Sequence, residues 1–109
     1  MPTPLQKRDL ARHERRFQVY EATRRQLRAS LAELIPGHKV ILFGSLTKLG
    51  VFNDQSDIDL AIETEPAQMD SWRLISELMD RLDRPVDLVL LKRCRFRDKI
   101  LREGEVWTA

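Results

Sequence analysis

Residues 39–63 read KVILFGSLTKLGVFNDQSDIDLAIE, and the fold turns on how this stretch is read. Lys39 to Phe43 is a short apolar run that stops at Gly44-Ser45, the pattern of a buried strand ending in a turn. Asp57-Ile58-Asp59-Leu60-Ala61-Ile62-Glu63 alternates polar with apolar, the period of two expected of a half-buried strand. On such a strand Asp57 and Asp59 share one face, about 7 Å apart.

Upstream, no proline or glycine occurs from Gln6 to Ile35, and Leu10, Phe17, Tyr20, Leu27, Leu31 and Leu34 recur at helical steps. The spacing predicts a long helix that Pro36-Gly37 ends. His13 and Arg24 interrupt its apolar stripe, so its N-terminal half is expected to project from the core or meet another chain. Downstream, Trp72, Ile75, Leu78, Met79 and Leu82 predict a second helix, capped by Asp70 or Ser71 and broken at Asp83-Arg84-Pro85. Val86 to Leu90 is a third strand, followed by a last helix with Phe96, Ile100 and Leu101 inward and Gly104 near its end. Helix, strand, strand, helix, strand, helix implies a small α/β domain. The expected organisation is one domain, with residues 1–36 a helical extension and 37–109 the core.

At 109 residues and 42% hydrophobic, the chain can bury a core without staples. Its single cysteine, Cys94, excludes an internal disulfide and a cysteine-based metal cluster, and fits a reducing cytoplasm. No apolar run approaches the roughly 18 residues of a membrane span, so a soluble cytoplasmic protein without membrane contact is expected. A net charge of +2 names no polyanionic partner, and direct nucleic-acid binding is not expected. The first 36 residues nevertheless carry eight cations against four acids, a solvated helix face or a surface that steers an acidic partner or RNA.

Taken alone, an Asp-x-Asp more often marks a solvated strand face than a site. Asp87 changes the reading. It sits in an apolar run, where an unpaired charge is costly, and it would join Asp57 and Asp59 if their strands are neighbours. Three crowded carboxylates repel one another unless a cation neutralises them, and oxygen-only ligation favours magnesium over zinc. The rival explanation is a buried ion pair between Asp87 and an arginine. Gly44-Ser45 suits a phosphate, because glycine lets the backbone approach and serine offers a hydroxyl, although taken alone such a pair is more often just a turn, with Ser45 at most a helix cap. Lys48 in the following loop is either a phosphate contact or a solvated lysine.

Phe43-Gly44-Ser45, Ser56-Asp57-Ile58-Asp59-Leu60 and Val86-Asp87-Leu88, in that order, resemble the signature of the DNA polymerase β-like nucleotidyltransferase superfamily, and most closely its minimal nucleotidyltransferases (MNT). The likeness runs from residue 39 to 107, through Ile100-Leu101-Arg102-Glu103-Gly104 to the aromatic Trp107. It implies a small mixed sheet flanked by helices, with the long N-terminal helix outside the match. It also implies magnesium ligation by Asp57, Asp59 and Asp87, with two ions, ATP as substrate, and phosphate binding at Gly44 and Ser45. Where relatives usually carry an arginine after the serine, this chain reads Leu46-Thr47-Lys48, which puts Lys48 in the place of that charge without arginine's bidentate fork. Minimal nucleotidyltransferases commonly act as antitoxins beside HEPN-domain ribonuclease toxins, in type VII-like toxin–antitoxin pairs. The resemblance therefore implies a hetero-oligomer with a HEPN toxin and transfer of AMP to a toxin hydroxyl, a tyrosine in known cases. The alternative it leaves open is a catalytically silent antitoxin that neutralises by binding. His13 and His38 lack a second ligand at metal-binding spacing, Cys94 is expected to be structural, and Trp72 and Trp107 are expected to anchor a core or an interface.

Overall fold

The computed structural model describes residues 1–109. Its first helix, α1, spans Pro4–Leu34. Thr3 and Gln6 cap it reciprocally: the Thr3 hydroxyl accepts from the Gln6 amide at 3.1 Å and the Gln6 side chain accepts from the Thr3 amide at 2.8 Å. The helix therefore starts two residues before Gln6, with Pro4 at its first position, where a missing amide hydrogen costs nothing. Then follow β1 (Lys39–Phe43), β2 (Ile58–Ile62), α2 (Ser71–Leu82), β3 (Val86–Leu90), α3 (Arg97–Glu103) and β4 (Glu105–Thr108). Asp70 caps α2, its side chain accepting from the Arg73 amide at 2.8 Å. Asp83, in the left-handed region at φ 50°, ends that helix.

The sheet order is β3-β2-β1-β4. β1 runs antiparallel to both β2 and β4, whereas β2 and β3 are parallel and joined by the α2 crossover. The fold is the small mixed sheet flanked by helices, with a long N-terminal helix. β4 goes beyond the sequence reading, since four residues are too few to register as a period. Gly104 makes it possible: a Cβ there would run into the Ile100 carbonyl and the Ile41 side chain, so only glycine lets the chain turn from α3 into the strand.

Strand alternation divides the side chains into two layers. Val40, Leu42, Ile58, Leu60, Ile62 and Trp107 face the C-terminal half of α1 and one side of α2, and form the main core with Leu27, Leu31, Leu74 and Leu78. The opposite face is covered only at one end, where Ile100 of α3 and Leu91 pack on Ile41 and Ala61. Several expected core positions lie outside. Trp72 is 81% exposed, because the buried arc of α2 follows Leu74, Leu78 and Leu82, and a residue two before Leu74 points away. α3 is seven residues long and commits only Ile100 to the sheet, which leaves Phe96 and Leu101 exposed. Leu10 and Phe17 are exposed because α1 has run past the core by then. A 31-residue helix is about 46 Å long. It stretches the molecule to 55 × 28 × 19 Å and its radius of gyration to 15.6 Å, against about 13 Å for a compact chain of this size. No helix is long and apolar enough to cross a membrane.

Candidate active site

The open face of the sheet carries the three aspartates. β1 ends at Gly44, whose φ of +75° begins a short 3-10 turn, Gly44–Thr47, closed by the Thr47 hydroxyl donating to the Gly44 carbonyl at 2.7 Å. In the strand register Phe43 stands opposite Asp59, and Asp59 opposite Asp87. The Gly-Ser turn, Asp59 and Asp87 therefore follow one another across three adjacent strands, with Asp57 one residue ahead of β2. A Cβ on Gly44 would collide with the Asp59 carboxylate, so glycine is required both by the backbone angle and by the close approach.

Asp59 is half-buried between Asp57 and Asp87, which are exposed. Burial raises its pKa above the usual aspartate value, and the charges of Asp87 and then Asp57 raise it further. The expectation that Asp87 is a charge inside an apolar run is corrected here. β3 is an edge strand whose second face is only partly covered, so Asp87 is exposed, makes no ion pair and needs no buried arginine.

Ser45 does not cap the 3-10 turn, and its hydroxyl makes no hydrogen bond within the protein. Lys48 is exposed at the lip of a cleft of about 690 Å³, whose walls include Gly44, Thr47 and Asp87 on the strand side and Cys94, Phe96 and Lys99 on the side of α3. That volume lies in the range of small-ligand sites. His13 is exposed, and His38 faces the Thr64 carbonyl at 2.9 Å, so neither histidine joins the carboxylates.

Arg84 is the residue that sequence reasoning passed over. It donates to the carbonyls of Asn53 at 3.1 Å and Ser56 at 2.7 Å while stacking on the Phe52 ring at 4.6 Å. It thereby fixes the loop that delivers Asp57, from a position between a helix end and Pro85 that reads as a mere breaker. Loop 46–54 is also tied to α1, through Arg15 to Asp54 at 3.1 Å and Arg24 to the Leu46 carbonyl at 2.9 Å.

Asp59 and Asp87 stand in register with Asp57 just ahead of β2, and the three carboxylates do not close into a metal-ligand cluster. Their chemistry is nevertheless that of a hard divalent cation: an oxygen-only donor set whose central member is disfavoured as an anion until positive charge arrives.

Comparison with known proteins identifies the family and relatives of the fold. A family model described as polymerase beta, nucleotidyltransferase matches residues 25–108. Among solved structures, a toxin–antitoxin with AMP-PNP is 27% identical, with a TM-score of 0.58 over 78% of this chain and 73% of that one. The toxin–antitoxin MntA-HepT is 26% identical, with a TM-score of 0.54 over 82% and 73% of the two chains. A mutant of such a pair is 29% identical, with a TM-score of 0.55 over 79% and 72%. No curated protein matches.

Proposed function

The chain belongs to the polymerase β nucleotidyltransferase family, and from that premise we propose that it is a magnesium-dependent protein adenylyltransferase that moves AMP from ATP to a hydroxyl, most simply a tyrosine, of a HEPN-domain toxin. It is in this reading an antitoxin of a toxin–antitoxin pair and works as a hetero-oligomer with its target. The observation that carries the proposal is the register that sets Asp59 beside Asp87 on an open sheet face, with the Gly44 turn packed against the Asp59 carboxylate. Likeness to solved toxin–antitoxins, one of them with AMP-PNP, supports the choice of nucleotide and partner.

Asp57, Asp59 and Asp87 would hold two magnesium ions, which when bound supply the positive charge that offsets the triphosphate and eases ionisation of the acceptor hydroxyl. The Gly44 backbone and Ser45 hydroxyl receive the β- and γ-phosphates, and Lys48 adds a point charge at the lip. The acceptor oxygen forms a bond to the α-phosphorus, the bond from that phosphorus to the bridging oxygen breaks, and diphosphate leaves. Asp87, exposed beside the cleft, receives the hydroxyl proton. We treat the 109 residues as one nucleotidyltransferase domain: residues 1–36 are its helical extension, whose C-terminal part packs into the core through Leu27 and Leu31, and every proposed catalytic side chain lies within 37–109.

The test is to incubate the chain with the toxin, ATP and magnesium and to read the intact masses of both proteins. AMP appears on the toxin with the native chain and is absent with Asp57→Ala or after chelation of the metal. A stable complex whose masses never change would instead establish the silent antitoxin that acts by binding alone.

A further inference from the structure

The outer edge of β3 has no partner strand. A second cleft, of about 590 Å³, opens along it and is lined by Leu88, Val89 and Leu90. Consecutive strand residues point to opposite faces, so a groove lined by all three looks onto the strand's edge rather than onto either face. Its walls are unusual for a free surface. Trp72 and Ile75 of α2 rise on one side and Phe96 on the other, and the two aromatic rings are 81% and 63% exposed. Scattered apolar residues on a surface need no explanation, but two large aromatics flanking an unpaired strand form a contiguous apolar site.

This groove and the candidate active-site cleft share three lining residues, Val89, Cys94 and Phe96. The groove therefore adjoins the cleft along β3, and Asp87 is a wall of that cleft. The rim is basic. Between residues 92 and 99 lie five cations and one acid, and of the cations only Arg97 is ion-paired, to Glu63 at 3.6 Å.

We infer that the outer edge of β3, between Trp72 and Phe96, is the docking groove for the acceptor protein, which lays an extended segment along the strand and so presents its hydroxyl to Asp87. The inference rests on the protein-acceptor reading above. The occupant is an extended apolar stretch of the toxin with acidic side chains beside it. Its backbone adds a strand to β3, apolar side chains take the space between the two rings, and carboxylates meet Arg93 and Arg95. The arrangement supplies what a catalytic domain of this size otherwise lacks, a surface that orients a macromolecular acceptor at the reacting end of the cleft. Trp72, Ile75 and Arg95 line this groove and not the active-site cleft, so toxin and ATP recognition separate at those residues.

The experiment uses the full chain and the purified toxin. Binding is measured by titration calorimetry without nucleotide, and amide hydrogen exchange is followed by mass spectrometry with and without the toxin. Exchange over residues 86–90 slows in the complex. Trp72→Ala weakens toxin binding roughly thirtyfold, as removal of a central aromatic anchor does, and Arg95→Glu weakens it further. In the transfer assay both variants raise KM for the toxin and leave KM for ATP unchanged. Trp72 is so exposed that its replacement spares the fold, and an unchanged melting temperature verifies this. A complex with native exchange over 86–90 and unaltered affinity in both variants overturns the groove while the adenylyltransferase reading stands. Tight, groove-dependent binding without AMP transfer upholds the groove and overturns that reading. Absence of any complex with the native chain overturns both.

Discussion

The two faces of this one sheet were built to different rules. The face under α1 and α2 is continuous and apolar, and Leu42, Leu60, Leu74 and Leu78 are fully buried there. The other face is covered at one end by a seven-residue helix and bare at the other, where the aspartates lie. Alternate residues of the same strands serve both. Asp59 looks out, and its neighbour Leu60 looks into the core at 0% exposure. The lesson is a division of labour at the scale of one residue: stability resides on the closed face, so the open face can hold mutually repelling charges that the fold itself does not favour.

Adjacent substitutions should separate the two roles. Asp59→Asn removes a carboxylate from the site and should lower transfer by about a thousandfold or more while the chain still melts cooperatively. Leu60→Ala, one residue on, should cost about 2–5 kcal/mol of stability by leaving a cavity, with the molecules that remain folded still active. Denaturant titration beside the intact-mass assay reads both. Loss of stability in the first variant, or loss of turnover per folded molecule in the second, would break the distinction.

Arg84 joins the two regions and sharpens the contrast. It belongs to the packing by its stack on Phe52, and to the site by holding the carbonyls of Asn53 and Ser56 just ahead of Asp57. Arg84→Ala leaves those carbonyls without their donor and should cost about 1–3 kcal/mol. It should also reduce transfer roughly tenfold, since Asp57 loses its support rather than its carboxylate. Arg84→Lys restores a charge without the fork and should recover stability more fully than turnover. Equal recovery of both would make Arg84 a packing residue only.

How much of this was legible beforehand follows from range. The strands of residues 39–63 and 86–90 show in a local period, but that they are neighbours, which brings Asp87 to Asp59, is supplied by the sheet. β4 was not legible, because its pairing with β1 is decided by contacts some sixty residues apart and by the absence of a Cβ at Gly104. Phe96, expected inward, was misjudged for a related reason, and Trp72 took the exposed of the two places expected for it. Hydrophobicity says that a side chain seeks cover, whereas its direction depends on where the neighbouring helix axis ends up. Asp87 read as buried because apolar neighbours look alike on a central strand and on an edge. Arg84 was missed since its partners are backbone carbonyls, which carry no sequence signal.

The smallest predicted effect concerns the open face without metal, and its sign is fixed by Asp59. Its carboxyl titrates above the normal aspartate range in the folded chain because of burial, then Asp87, then Asp57. Between the unfolded value and that raised value the folded state binds more protons than the unfolded one, so stability falls as pH rises through the window and stays reduced above it. Asn at this position cannot ionise and escapes the loss. Metal-free Asp59→Asn should therefore melt above the metal-free native chain at pH 7, and the gap should narrow as the pH drops toward 4. Adding magnesium should raise the native chain alone, since a cation bound only by the folded form stabilises it. A native chain more stable than Asp59→Asn at pH 7 without metal would mean that the carboxylates already have a protein partner, and the open face would then be structural after all.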